Sequence, residues 1–336
     1  MFNPASPDSA HDPAAMKTSR DYLRIFFSGF AMGSADIVPG VSGGTMAFIL
    51  GIYESLLNGI KSVNLNVIRL LLTLKIKEAM ALVPWKFLVT LAAGIATAVL
   101  TLVNFLSWML ENEPELLFAF FFGLVLASII AIGAKITRWT VPIIVGLVLG
   151  AVVAFFISGL TPEGDTNHST VVLFLSGMVA IMAMILPGIS GSFILLLLGQ
   201  YEYVVNAVKD FDLRTVFAVG LGALVGITGF SRFLSWLLAR YEMLTIAVLT
   251  GFMIGSLRKI WPWREESTID PEHAEYFTKE VLPQINGDFW FAIALLVIGF
   301  MVVTVLDHLQ SKSNPIVLGL QRLTGGSPKS SATAET

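Results

Sequence analysis

One segment occurs twice in this chain, and each copy interrupts an apolar run at the same place. Residues 28–54 read SGFAMGSADIVPGVSGGTMAFILGIYE, and residues 176–202 read SGMVAIMAMILPGISGSFILLLLGQYE. The copies align without gaps at an offset of 148, with 12 of 27 positions identical. Each is an apolar run, a Pro-Gly-x-Ser-Gly break, a second apolar run and Gly-x-Tyr-Glu. Proline has no N–H and clashes with the carbonyl four residues back, so a helix stops or kinks at Pro39 and Pro187. The pattern predicts a helical hairpin broken inside an apolar layer, made twice.

That layer is a membrane. Of 336 residues, 55% are hydrophobic and 13% charged, against roughly 25% charged in soluble domains. Six further apolar runs, 85–110, 114–134, 140–160, 215–238, 242–261 and 289–309, are each long enough to cross ~30 Å of hydrocarbon. The stretch 58–83 places Lys61, Arg69, Lys75 and Lys77 among Leu and Ile, and reads as one basic amphipathic helix on the membrane surface. Residues 262–288 read as a polar, acidic loop. The seven tryptophans sit near the ends of apolar runs, as an aromatic belt does.

The duplication extends past the motif. FLSWML at 105–110 matches FLSWLL at 233–238 at an offset of 128, which also sets Gly94 on Gly222, Gly123 on Gly251 and Ser128 on Ser256. The expected organisation is a polar tail (1–19), a first repeat (20–160), an external loop (161–169), a second repeat (170–310) and a polar tail (311–336). Each repeat holds one broken, re-entrant hairpin and three spans. The number of crossings per repeat is odd whether the hairpin returns or spans, so the repeats have inverted topology. With both termini inside, inner segments carry 14 Lys and Arg against 6 outside, as the positive-inside rule requires. The expected class is an all-α polytopic membrane protein.

Interrupted segments at corresponding places in two halves mark a transporter's binding site. Glycines at a break let a ligand approach the backbone closely, and free N–H groups at a helix start favour an anion. The expected phosphate-binding set is Gly40, Ser42, Gly43, Gly44 and Thr45 from the first copy and Gly188, Ser190, Gly191 and Ser192 from the second. Charges inside apolar runs are costly and functional by default. Asp36 lies three residues before Pro39, with Met184 as its repeat partner. Glu54 and Glu202 are matched across the repeat. These three carboxylates are the candidates for coupling or gating. Arg232, whose repeat partner is Asn104, is the candidate countercharge.

Enzyme chemistry fits poorly. There are no cysteines, and His11, His168, His273 and His308 fall in tails, loops or at a span end. No cluster has metal-ligand spacing, and no P-loop is present. Nothing points to a cofactor, a catalytic group or a nucleic-acid partner.

ADIVPGVSGGTMAFILGIYE together with ILPGISGSFILLLLGQYE closely resembles the bacterial polyprenyl-phosphate transporters, a family long known only as a domain of unknown function. The resemblance covers about residues 20–310, with no departure inside the motif. It implies translocation of undecaprenyl phosphate, the C55 lipid carrier of cell-wall and surface-polymer synthesis, from the outer to the inner leaflet for reuse. Substrate and direction rest on the resemblance. The residues themselves leave open a second reading, a secondary transporter or channel for a small soluble anion.

Overall fold

The structure, a computed structural model, describes residues 16–38, 41–160, 167–266, 278–311, 314, 316 and 317. Most of the two expected tails, loop residues 161–166, Pro39 and the site candidate Gly40 lie outside the described residues.

Helix α1 (Ser19–Ile37) starts at a capping box. The Asp21 N–H donates to the Thr18 hydroxyl at 3.3 Å, and the Thr18 N–H donates to the Asp21 carboxylate at 2.8 Å. The helix stops at Val38, before the break. α2 (Gly43–Ile49) follows, and Gly51, at φ 66°, turns the chain into α3 (Tyr53–Ser62). The second copy repeats this order as α9 (Thr170–Ile185), α10 (Gly191–Leu197) and α11 (Tyr201–Lys209), with Gly199 at φ 61° in the place of Gly51. α10 and α11 meet at 111°.

Between α3 and the first long helix, the expected single amphipathic helix is instead broken. It forms the end of α3, then α4 (Leu65–Leu72) and α5 (Ile76–Leu82). The Asn64 side chain accepts from the N–H groups of Asn66 and Val67 and restarts the helix. Leu74, at φ 58°, ends α4, and the Lys75 N–H reaches back to the Leu70 carbonyl. The basic pattern in the sequence is real, but local capping divides the helix that carries it.

Among the described residues, five helices are long and apolar enough to cross a membrane: α6 (Trp85–Asn112), α7 (Pro114–Gly133), α8 (Val141–Ser158), α12 (Leu213–Ser256) and α13 (Gly287–Ser311), the last over its first 22 residues. At 44 residues, α12 would run ~66 Å if straight, twice the hydrocarbon thickness. Its backbone breaks at Tyr241 (φ −135°, ψ 49°). Glu113, between α6 and α7 and 128 positions earlier, has φ −138° and ψ 50°. The arms 213–240 and 242–256 therefore correspond to α6 and α7. The loop after α12 also differs from expectation: Arg264–Glu266 (β1) and Thr278–Glu280 (β2) pair as an antiparallel ribbon.

Helices pair through glycines that let backbones touch, the usual device where lipid removes the hydrophobic drive between helices. Gly29 of α1 lies on the Leu91 carbonyl of α6, and Gly94 of α6 lies on the Phe26 carbonyl of α1. Gly177 and Gly222 repeat this exchange between α9 and the 213–240 arm, on Val219 and Phe174. The remaining long helices cross between halves. Gly123 of α7 meets Leu296 of α13 and Gly299 meets Phe120, while Gly150 of α8 meets Val248 of the 242–256 arm and Gly251 meets Leu147. Contacts rise together along α1 and α6, from Gly29 on Leu91 to Gly33 on Ile95 and Ala98, so these helices run parallel. By the same test α9 runs parallel to 213–240, and α8 to 242–256. Continuing the register of α1 puts its end level with the middle of α6. The breaks thus sit deep inside the molecule.

Candidate functional site

The structure brings the two breaks into contact. The Gly188 N–H of the second break donates to the Thr45 hydroxyl of the first at 2.9 Å. The Tyr53 hydroxyl donates to the Ile185 carbonyl at 2.9 Å. The Ser42 hydroxyl lies 3.4 Å from the Met184 carbonyl and 3.5 Å from that of Leu186. Gly44 has to be glycine here, because a Cβ would come within 2.9 Å of the Met184 carbonyl and 3.0 Å of the Ile185 carbonyl. Ser42, Thr45, Tyr53 and Ser190 are buried, the first two at 1% exposure. Polar groups buried this deeply need partners, and for Ser42, Thr45 and Tyr53 the second motif supplies them.

The first break is not an open anion cradle. The Gly43 N–H at the start of α2 donates to Asp36 Oδ1 at 2.7 Å, and the Gly44 N–H donates to Ser42 Oγ at 3.1 Å. The chain's own carboxylate occupies the place an anion would take, so Asp36 is a cap on α2. A Cβ on Gly43 would collide with that carboxylate.

The second break is built differently. Met184 stands where Asp36 would be. The hydroxyls of Ser190 and Ser192 are paired at 2.7 Å, and the Phe193 N–H donates to Ser190 Oγ at 3.4 Å. Gly188, at φ 93°, lies against Ser256 near the end of α12, where a Cβ would be 2.6 Å from the Ser256 hydroxyl. In the turn that follows, the Lys259 ammonium lies 4.2 Å from the centroid of the Phe193 ring. Burial, reinforced by the nearby Arg264, lowers the Lys259 pKa to about 8, with Glu280 opposing. Arg258 pairs with Glu280 at 3.0 Å. Arg264 donates to the carbonyls of Arg258, Lys259 and Trp261, which closes the end of α12. Three cations and one carboxylate thus gather beside the second break.

Of the sequence candidates, Thr45 meets Gly188, Ser42 and Gly44 lie on the Met184–Leu186 carbonyls, Asp36 and Gly43 bond each other, and Ser190, Gly191 and Ser192 line the second break. Three candidates stand apart. Arg232 is exposed on α12 next to buried Ser231. Glu54 is exposed at the start of α3, with Glu242 and Lys135 as charged neighbours. Glu202 is exposed at the start of α11. Lys259 was missed because it falls at the very end of the apolar run 242–261, where it reads as an outer-side interfacial charge. Its repeat position holds Ala131, so the asymmetry that singled out Asp36 would have found it.

A family model described as undecaprenyl phosphate translocase-like matches residues 32–277, which include both breaks and Lys259. The chain belongs to the undecaprenyl phosphate translocase-like family. Two relatives align with most of the chain. A polyprenyl-phosphate transporter of Vibrio cholerae is 43% identical over 245 residues, covering 73% of this chain and 79% of the relative. A polyprenyl-phosphate transporter of Staphylococcus aureus is 29% identical over 304 residues, covering 85% and 96%. No solved structure matches. The matched range ends at residue 277, before α13, and includes both breaks.

Proposed function

We propose that this membrane protein carries the phosphate head of a polyprenyl phosphate past the paired breaks while the isoprenoid chain stays in lipid. It would return undecaprenyl phosphate from the outer to the inner leaflet of the cytoplasmic membrane for reuse in envelope polymer synthesis. Family membership and relatives named as transporters, not enzymes, support the class of activity. The observation that carries the reading is the contact of two broken segments deep in the molecule, with a lysine at one of them.

The packing supports the proposed topology. Because α1 and α6 run parallel, the chain between them returns to the side it came from, as a re-entrant hairpin does. Residues 134–140 join α7 to α8, and seven residues reach at most ~25 Å, less than the length of α7. α8 therefore runs back against α7, yet parallel to 242–256, the repeat equivalent of α7. Equivalent helices then point in opposite directions, as the proposed inverted repeat requires. Both termini are cytoplasmic in this reading, and Lys259 and the second break face the outer leaflet.

The chemistry follows from the asymmetry. Lys259 and the Ser190 and Ser192 hydroxyls receive the anionic head at the second break. Charge-assisted contacts of this kind are about twice as strong as neutral ones. Asp36 holds the first break closed against an anion. Protonation removes the negative charge that the Gly43 N–H binds, so the carboxylate and the phosphate compete for one N–H, and a proton on Asp36 frees it for the phosphate. That is the proposed coupling.

The test is leaflet exchange of labelled undecaprenyl phosphate in proteoliposomes, with and without a pH gradient. Exchange above that of empty liposomes, lost in the Ser42→Ala/Ser190→Ala double variant, is expected. Movement of soluble phosphate or sulfate with no lipid exchange would overturn the reading in favour of a small-anion transporter.

A further inference from the structure

A cavity with polar and apolar walls lies away from the breaks. It has a volume of about 530 Å³ and is lined by His168, Thr170, Tyr203, Asp212, Arg214 and Thr215, among others, where α9, α11 and α12 begin close together. An apolar groove of about 490 Å³ opens on the next three turns of α12, lined by Leu213, Val216, Phe217, Gly220, Leu221 and Leu224. A Cβ at Gly220 would meet nothing within 4 Å, so the missing side chain leaves a gap in the groove floor. A polar chamber that adjoins a lipid-facing groove on one helix has the layout of a lipid: head first, then chain.

The chamber's polar groups are set for one kind of head. Gln200 is fully buried, and its amide nitrogen donates to the carbonyls of Asn167 (3.3 Å) and Leu198 (3.1 Å). The amide oxygen therefore faces His168 Nδ1 at 2.9 Å, and Nδ1 must carry the proton. With Nδ1 committed to Gln200, Nε2 is the ring nitrogen turned to a ligand. The ring is held flat against Tyr203, with centroids 4.1 Å apart and an interplanar angle of 1°. One Arg214 nitrogen donates to the Thr170 hydroxyl at 3.0 Å, and the rest of the five-donor fork remains. The Asp212 carboxylate would repel an anion, but it is turned to its own helix. It accepts from the N–H groups of Arg214 and Thr215 and, at 2.6 Å, from the Thr215 hydroxyl. The Thr215 hydroxyl bond leads the causes that hold its pKa below the usual carboxylate value.

We propose that this chamber and groove form a docking site for a long-chain isoprenoid phosphomonoester, separate from the breaks, where the lipid loads before transport. The Arg214 fork takes the charged phosphate oxygens. His168 Nε2 accepts the remaining P–OH proton, which a monoester still carries in part near pH 6 to 7 because its second pKa is about 6. A phosphodiester lipid has no such proton at neutral pH, so the site discriminates against bulk phospholipid. The first isoprene units lie along Leu213–Leu224. This inference rests on the lipid-phosphate reading above, and in the proposed topology the site faces the outer leaflet.

The experiment uses the full-length protein in nanodiscs with p-benzoylphenylalanine in place of Phe217. It is offered undecaprenyl phosphate or phosphatidylglycerol at equal concentration, and crosslinked lipid is read by mass spectrometry. Undecaprenyl phosphate is expected to dominate. Arg214→Gln should weaken capture about tenfold or more, the size of a lost charge-assisted hydrogen bond. Gly220→Leu fills the groove without touching the polar chamber and should reduce capture with no loss of thermal stability. In proteoliposomes both variants should raise the lipid concentration needed for half-maximal exchange and leave the saturated rate unchanged. Equal labelling by the two lipids, or capture indifferent to both substitutions, overturns the docking site even if leaflet exchange is intact. Absence of exchange in the unsubstituted protein overturns the transport reading instead.

Discussion

The two breaks share a sequence pattern and a backbone path, yet they hold opposite chemistry. At the first, Asp36 caps the Gly43 N–H, and the position equivalent to Lys259 is Ala131. At the second, Met184 replaces the acid, a serine pair replaces the cap, and Lys259 rests on Phe193. Duplication preserved what the fold needs: the glycine contacts between α1 and α6 and between α9 and α12, the turns at Gly51 and Gly199, and the broken linkers at Glu113 and Tyr241. The groups proposed to meet an anion were free to diverge. In the proposed cycle an acid at one break and a base at the other bind an anion unequally, and a proton gradient acting through Asp36 would set the net direction.

The sharpest way to break this comparison is to remove the base. Lys259→Gln should slow polyprenyl-phosphate exchange roughly ten- to hundredfold, the size of a charge-assisted contact to phosphate. Arg232→Gln, on the exposed face of α12, should change it little. The pH profile distinguishes charge from packing. Lys259 has its pKa held down to about 8 by burial and by Arg264, against Glu280. It is cationic below that pH and neutral above, so exchange should fall as pH rises from 7 to 9. Lys259→Arg keeps its charge throughout and should flatten that fall. An unaltered profile in the arginine variant would remove Lys259 from the phosphate path.

A smaller effect is expected from the acid. Asn keeps an oxygen that can accept the Gly43 N–H but cannot take up a proton, so Asp36→Asn should leave thermal stability close to that of the parent. The rate without a pH gradient should change only a few-fold, and its response to an imposed gradient should vanish. If Asp36→Asn still responds to the gradient, the coupling group lies elsewhere, and exposed Glu54, beside Glu242 and Lys135, becomes the next candidate.

These contrasts show what the chain's sequence could and could not reveal. The spans, the duplication and the position of both breaks were legible, because apolar length and Pro-Gly interruptions are local properties. The meeting of the breaks is not a local property: it depends on α1 and α9 each lying parallel to a later helix. The cap on Gly43 was not legible. Asp36 is seven residues away across an interruption, and nothing in the spacing says whether its carboxylate turns toward the N–H or toward a ligand. Lys259 was hidden for the same kind of reason: its neighbour Phe193 is 66 positions earlier, and only the return of α12 beside the second break joins them. The single helix expected over 58–83 failed because Asn64 and Leu74 act as caps that outweigh a continuous amphipathic pattern.

The smallest effect tests the joint between the breaks. Thr45 is 1% exposed, and its hydroxyl accepts the Gly188 N–H. Thr45→Val has nearly the same shape but leaves that buried N–H without its acceptor, which should cost about 1–3 kcal/mol and lower the melting temperature by a few degrees. The first break has no reciprocal bond, since Phe193 stands at the position equivalent to Thr45. Phe193→Leu should therefore disturb the joint less while removing the ring under Lys259, so its loss should appear in exchange more than in melting. If the two variants show the reverse pattern, with Thr45→Val stable but slow and Phe193→Leu unstable but fast, then the hydroxyl serves the cargo and the ring serves the fold. The assignment of joint and site between the two breaks would have to be exchanged.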